Sequence, residues 1–178
     1  MKLAPALLLL ALSGSLHAQE PLKASTGISS LYSTVPLFTI SWSLSMNVVH
    51  YDAKLKNGIM DPKDPIDVYW IMNQKDGHRE GLTLIERLKA YGISVKPGKD
   101  PNTYDMVIVS VKQKTLHVYQ EDGKFRVTLP IANCETAYLD HVHVQAHKWH
   151  MLNIPDYAEL FGKDAKTGEE CREQVKQE

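Results

Sequence analysis

The sequence lacks long hydrophobic runs and an excess of charge of either sign, and both absences limit what the protein can be. Beyond residues 3–12, no apolar stretch approaches the roughly 18 residues that a membrane-spanning helix needs. Lysine and arginine number 20 against 21 aspartates and glutamates, which gives a formal net charge of −1. Because the chain has no basic stripe, we do not expect nucleic acid as a partner. The length of 178 residues suits a single domain.

Recognisable catalytic motifs are also missing. The chain has no phosphate-binding loop, nucleophile elbow, zinc-protease helix or dinucleotide-binding fingerprint. Such motifs place reactive groups at a fixed spacing, so without them the sequence assigns no catalytic residue. We predict no cofactor, with a divalent metal as the one alternative.

The first 18 residues have the pattern of a secretory signal peptide. Lys2 precedes the apolar residues 3–12, and small residues lead to a cleavage site after Ala18. The apolar run is too short to span a bilayer. We therefore expect a periplasmic or secreted protein that is not an integral membrane protein after cleavage. An uncleaved anchor is the alternative.

Only two cysteines are present, Cys134 and Cys171. In an oxidising compartment an even number of cysteines favours a disulfide bond. By the chain-entropy model, closing a loop of this length stabilises the fold by about 3–4 kcal/mol. The bond would attach the charged C-terminal segment to the end of a strand. Two free thiols are the alternative.

The most informative local pattern begins at residue 66. Ile66, Val68 and Trp70 alternate with Asp67 and Tyr69, which predicts a strand with one apolar face and one mixed face. Such a strand is covered on both sides, at least in part. An Asn-Gln-Lys-Asp-Gly turn at 73–77 follows it.

A short helix is predicted over residues 84–91. Thr83 and Glu86 have the spacing of a capping box. Leu84, Leu88 and Tyr91 recur at helical spacing and would form an apolar face packed on the sheet. Gly92 would then end the helix in the left-handed conformation.

The rest of the chain reads as short strands separated by turn signals. This pattern predicts a mainly β (α+β) fold: a single antiparallel β-barrel or strongly curled β-sheet with the one short helix packed on it. We expect a signal peptide at 1–18, an irregular lead-in at 19–36 and a β-rich domain at 37–150. Residues 151–178 would be a weakly structured charged tail with one or two short helices.

Several segments together resemble a known family. They are Pro-Ile-Asp-Val-Tyr-Trp-Ile at 65–71, Arg-Glu-Gly-Leu at 79–82 and Ile-Glu-Arg-Leu-Lys-Ala-Tyr-Gly at 85–92, with matches at 47–53 and 122–124. Over about residues 37–146 the chain resembles DUF4833, a family of exported bacterial proteins of unknown function. The resemblance implies export, a β-rich domain and no assigned activity, cofactor or catalytic residue. The family usually has basic and asparagine residues where this chain has Ser-Trp-Ser-Leu-Ser-Met at 41–46, so a property carried by those residues is not expected here.

Histidines are concentrated near residue 145. His141, His143 and His147 alternate along a predicted strand and would share one face. Imidazoles two residues apart on one strand face can both bind a divalent metal. The competing interpretation is that they are ordinary polar residues on the solvent face.

Arg79 and Glu80 lie just before the predicted helix. In a functional interpretation Glu80 is a general acid or base and Arg79 binds an anion. In a structural interpretation Glu80 favours the helix N-terminus and Arg79 pairs with a carboxylate such as Asp67. The residues favour the structural interpretation.

Aromatic residues offer a third candidate site. Tyr51, Tyr69, Trp70 and Tyr91, with Arg79 and Glu80, could line a cavity, although such aromatics are more often core. The leading hypothesis is a small exported β-rich module that binds an apolar or amphipathic small molecule, or an envelope component. One alternative is a hydrolase-like or metal-dependent enzyme that uses Glu80 with His141 and His143. The other is a structural or protein-interaction module without a ligand.

Overall fold

The computed structural model describes residues 32–150 and 152–176, without the side chains of Leu152 and Asn153. The predicted signal peptide at 1–18 lies outside the described residues, and so does the lead-in as far as residue 31. Within the described part, no helix is long and apolar enough to cross a membrane.

Twelve strands and one helix follow one another along the described part of the chain. They are β1 (Tyr32–Trp42), β2 (Ser45–Lys56), β3 (Ile59–Met60), β4 (Ile66–Ile71), β5 (Arg79–Gly81), α1 (Leu84–Lys89), β6 (Ile93–Pro97), β7 (Tyr104–Ile108), β8 (Leu116–Glu121), β9 (Lys124–Ile131), β10 (Cys134–Trp149), β11 (Leu152–Asp164) and β12 (Glu170–Val175). The alternating segments of the sequence produce these strands, and Asp122 and Gly123, both at positive φ, form the tight β8–β9 turn.

All the strands belong to one sheet. Its order is β5-β4-β2-β1-β10-β9-β8-β7-β6, with β11 and β12 added beside β10 and β3 beside β2. Every pairing is antiparallel except β1 with β10, where Thr39 lies opposite His141. The sheet curls strongly but stays open, forming a half-barrel. The predicted fold class is confirmed.

The long strand β10 explains much of the curl. Its first part pairs with β9 and its second part with β1, so β9 and β1 follow each other along one side of β10. The pairing with β11 shifts register between Leu139 and His141 and again between Gln145 and Ala146. Irregularities of this kind bend a strand and increase its twist.

The core fills the concave side of the half-barrel. Tyr51, Met60, Met106, Leu129 and Ile131 are the largest fully buried side chains. Phe38 stacks on Tyr51 with ring centroids 4.5 Å apart. Because these side chains come from strands far apart in sequence, the core depends on the curling of the whole sheet.

The C-terminal segment corrects one prediction. Residues 152–164 and 170–175 are strands β11 and β12, where we expected a weakly structured tail with short helices. Cys171 and Val175 are buried, and Glu173 accepts hydrogen bonds from Lys114 Nζ at 2.7 Å and the Ala132 N–H at 2.6 Å. The alternation of buried and charged residues made an edge strand look like a solvated tail. The predicted domain boundary at residue 150 therefore lies inside the sheet.

The predicted disulfide is present. Cys134 and Cys171 are bonded, with their Cα atoms 6.3 Å apart. The bond joins the start of β10 to β12, and β11 lies between these two strands in the sheet. It thereby attaches the last described strand to the middle of the sheet.

The helix is present but faces the other way from our prediction. Thr83 and Glu86 form the predicted capping box. Leu84 and Leu88, however, are 71% and 62% exposed, and the helix has no buried residue. Trp70 Nε1 donates to Glu86 Oε1 at 3.1 Å, so a polar contact attaches the helix to β4. The prediction failed because spacing defines an apolar face but not the direction in which it points.

Gly92 also differs from its predicted role. It is not among the glycines with positive φ, so it is not a left-handed cap. A Cβ atom on Gly92 would lie 1.8 Å from the backbone oxygen of Arg87. Glycine is therefore required here by the close approach of the chain to the end of the helix.

Candidate functional site: a cleft between two open sheet edges

The half-barrel has two strand edges that border the same opening. Among the residues that the structure describes, β5 pairs only with residues 69–71 of β4, so residues 66–68 have no strand partner on that side. Within the same residues β6 pairs only with β7. Residues of both edges line one cleft of about 610 Å³. This volume lies in the range of small-molecule sites.

The cleft is lined by both apolar and charged side chains, and most of its exposed lining is polar. The apolar and aromatic residues that line it are Ile66, Val68, Leu82, Ile93, Val95 and Tyr104. Ile66, Leu82 and Tyr104 are buried. The charged lining residues are Lys54, Lys63, Asp64, Asp67, Arg87 and Lys96. An amphipathic molecule would find both kinds of surface here.

The charged side chains that line the cleft do not neutralise one another. Lys54 pairs with Asp64, and Arg79, which lies outside the cleft, pairs with Asp67. Lys63, Arg87 and Lys96 take part in no ion pair within the described residues. Since both carboxylates are neutralised, the cleft presents three uncompensated cations.

Three of the predicted lining residues lie together under the helix rather than in the cleft. Trp70 meets Tyr91 edge to face with centroids 5.0 Å apart, and Tyr51 donates its hydroxyl hydrogen to the Tyr91 carbonyl at 2.8 Å. Burial raises the pKa of Tyr51 well above its usual value, and burial followed by the nearby Glu86 raises the pKa of Tyr91. These three residues belong to the core or pack against it. Both tyrosines keep the phenol proton near neutral pH.

A second, narrow cavity lies on the other side of the aromatic cluster. It has a volume of about 40 Å³, and Trp42, Tyr91 and Val144 are among its lining residues. Trp42 Nε1 is buried and has no acceptor among the described residues. A volume of this size holds one or two water molecules at most, so it is not a ligand site comparable with the cleft.

Two other predicted lining residues, Tyr69 and Arg79, lie on the outer face of the sheet. The Arg79 guanidinium lies 3.6 Å from the centre of the Tyr69 ring, and Arg79 pairs with Asp67 as the structural interpretation predicted. The Tyr69 hydroxyl donates to the buried Asp52 at 2.7 Å. Burial, followed by this hydrogen bond, raises the pKa of Tyr69 to about 12. This arrangement stabilises the pairing of β2, β4 and β5.

Glu80 lies neither in the aromatic cluster around Tyr91 nor beside Tyr69 on the outer face. It is exposed at the end of the β4–β5 hairpin, with its Oε2 atom 3.5 Å from His78 Nε2 and 3.9 Å from Lys75 Nζ. A hydrogen bond with Asp76 raises the pKa of His78. β5 and β10 are four strand positions apart, roughly 19 Å along the sheet. The structure thus does not bring Glu80 together with His141 or His143.

The three histidines do share the outer face of β10, but each has its own partner. His141 stacks on Phe161, His143 Nδ1 lies 3.0 Å from Ser41 Oγ, and His147 Nδ1 lies 2.7 Å from Asp156 Oδ1.

Potential metal ligands gather elsewhere. Within the described ranges, one group of three potential ligand atoms lies within 4.8 Å of one another, and it belongs to Cys134, Asp164 and Cys171. The two sulfurs of that group are already bonded to each other. The three imidazoles are therefore not gathered around a common point.

The sequence analysis missed the residues that make the cleft. Lys63, Arg87 and Lys96 are scattered over a loop, a helix and a strand, so no local motif links them. The sequence holds no local signal for the cleft, because it forms where β4 and β6, which are distant in the strand order, border one opening.

Comparison with known proteins places the chain in a family. The family model described as Domain of unknown function (DUF4833) matches residues 38–174. A search of curated proteins gave no match, and a search of solved structures gave none either. The match extends through β11 and into β12, beyond the segment in which the resemblance was recognised. The chain belongs to the DUF4833 family.

Proposed function

We propose that the protein is an exported binding module that holds an amphipathic organic anion in the cleft between β4 and β6. The observation that carries the proposal is that three cations with no carboxylate partner in the described residues line the same cleft as apolar side chains. An apolar body would cover Val68, Ile93 and Val95, and a carboxylate or phosphate group would face Lys63 and Lys96. Charge-assisted hydrogen bonds of this kind are stronger than neutral ones.

Export is part of the proposal and rests on two features. The first 18 residues have the signal-peptide pattern, and a disulfide is compatible with an oxidising compartment. A periplasmic location is the first choice and full secretion the second.

Fluorescent fatty acids provide a direct test. The polyene cis-parinarate would be titrated into the protein and compared with its methyl ester, which lacks the charge. The variant Lys63→Ala/Lys96→Ala removes two cleft cations, and Lys112→Ala/Lys124→Ala removes two exposed cations elsewhere. Loss of a charged hydrogen bond costs about 1.5–3 kcal/mol, so we expect the cleft variant to bind parinarate at least about tenfold more weakly.

The controls separate the cleft from general attraction to a positive surface. Binding of the methyl ester should be unchanged by the cleft variant, and Lys112→Ala/Lys124→Ala should bind parinarate as the wild type does. Equal affinity of all three proteins for parinarate would contradict the proposal. Native and denatured mass spectra of untagged protein from its export compartment would then reveal the mass of any retained natural ligand.

A further inference from the structure

The solvent-exposed side of α1 is aliphatic. Leu84, Ile85 and Leu88, which we call the α1 apolar face, are 71%, 74% and 62% exposed. None of the three lines the cleft. Scattered exposed aliphatic residues are ordinary, whereas exposed aliphatic residues that lie side by side in one patch are characteristic of interaction sites.

Charge is arranged around this face in a regular way. At roughly 100° per residue, the α1 apolar face spans an arc of about 100° on the helix, with Arg87 about 60° beyond one end and Lys89 about 40° beyond the other. Neither cation has an ion-pair partner among residues that the structure describes. An aliphatic strip bordered by cations is one feature of helices that lie in a membrane interface, and α1 has it over its six residues.

The one acidic residue of the helix points away from this face. Glu86 lies about 100° beyond the nearer end of the strip on the same projection. It accepts from Trp70 Nε1 at 3.1 Å and from the Thr83 N–H at 2.7 Å. These contacts hold the helix with its acidic side on β4 and its aliphatic side in solvent.

We propose that the α1 apolar face docks onto an anionic phospholipid surface. The three aliphatic side chains would enter the interface. Lys89 would meet the phosphates together with Arg87, whose side chain also borders the cleft, as long cationic side chains do at such boundaries. A second copy of the chain fits less well. Two helices paired through this face would bring four cations together with no exposed carboxylate of the helix to compensate them.

Vesicle co-sedimentation tests the proposal on the full mature chain. Vesicles of equimolar phosphatidylglycerol and phosphatidylcholine would be compared with vesicles of phosphatidylcholine alone. We expect Ile85→Ser/Leu88→Ser to lower the partition constant on the mixed vesicles at least about tenfold. Lys89→Ala should lower it about fivefold. Both substitutions lie on exposed positions, and unchanged near-ultraviolet circular dichroism would show that the variants are folded.

Matched variants keep docking distinct from ligand binding in the cleft. Ile59→Ser removes an aliphatic side chain that is 51% exposed on β3, and it should leave vesicle binding unchanged. Lys63→Ala/Lys96→Ala weakens the cleft alone and should still sediment with the vesicles.

Three results would overturn docking. They are equal sedimentation of wild type and Ile85→Ser/Leu88→Ser, equal binding to both kinds of vesicle, or a dimer in light scattering that Ile85→Ser/Leu88→Ser dissociates. The last result would assign the face to a second copy instead.

Discussion

Reduction of the Cys134–Cys171 disulfide should lower the free energy of unfolding by about 4 kcal/mol. The two cysteines are 37 residues apart in sequence, and the loop they close contains all of β11. The chain-entropy model assigns about 4 kcal/mol to a loop of that length. Domains of this size have total stabilities of about 5–15 kcal/mol, so the bond would supply a large share.

Urea unfolding followed by tryptophan fluorescence measures this effect. With a denaturant slope of about 2 kcal/mol per molar, the midpoint should fall by roughly 2 M when the bond is reduced. The variant Cys134→Ser/Cys171→Ser should unfold near the reduced wild type. A reducing agent should not shift the midpoint of that variant, which is the control for other effects of the reagent.

The opposite result would be a midpoint that stays the same, within a few tenths molar, in oxidised and reduced protein. It would mean that β11 and β12 stay paired in the unfolded chain or that the bond does not form in solution. Either finding would refute the view that the bond holds the C-terminal strands to the sheet.

Two further predictions concern single positions. Gly92→Ala should destabilise the protein by about 3 kcal/mol or more, since its Cβ would meet the Arg87 oxygen at 1.8 Å. Gly81→Ala, which meets nothing within 4 Å, should change the thermal midpoint little, and equal midpoints for the two variants would contradict the close approach. Tyr69 has a folded pKa of about 12, above its value of about 10 in an unfolded chain, so it contributes stability that is lost as pH rises from 10 to 12. Tyr69→Phe should reduce that alkaline loss in urea titrations, and an unchanged slope with pH would count against the hydrogen bond to Asp52.

Local patterns in the sequence predicted the features that depend on neighbouring residues. The β4 strand and the capping box at Thr83 each depend on contacts within a few residues, and both are confirmed. The disulfide followed from the even count of cysteines together with the signal-peptide pattern. The curled sheet followed from many short strands in close succession.

Features that depend on distant pairing could not be read in the same way. The parallel contact between β1 and β10 joins residues about a hundred positions apart, and no local signal specifies it. The outward direction of the α1 apolar face is set by the bond between Trp70 and Glu86, which spacing does not encode. The C-terminal strands were missed because their charged residues alternate with only a few buried ones, among them Cys171.

The same limit applies to the candidate site. The aromatic residues singled out in the sequence are mostly core or outer-face residues, as in the case of Tyr51 and Tyr69. The cleft instead is made where β4 and β6 border one opening, and its cations come from separate elements. A site between two sheet edges depends on how the sheet curls. It can therefore be recognised only once the strand order is known.

The most direct test of the cleft is a ¹H–¹⁵N correlation spectrum recorded while cis-parinarate is added. We expect the amides of residues 66–68 and 93–96 to shift first and by the most, with a common saturation curve. Lys63→Ala/Lys96→Ala should require a higher concentration for the same shifts. Perturbations confined to the outer face around His141, or no perturbation at all, would contradict the assignment of ligand binding to the cleft.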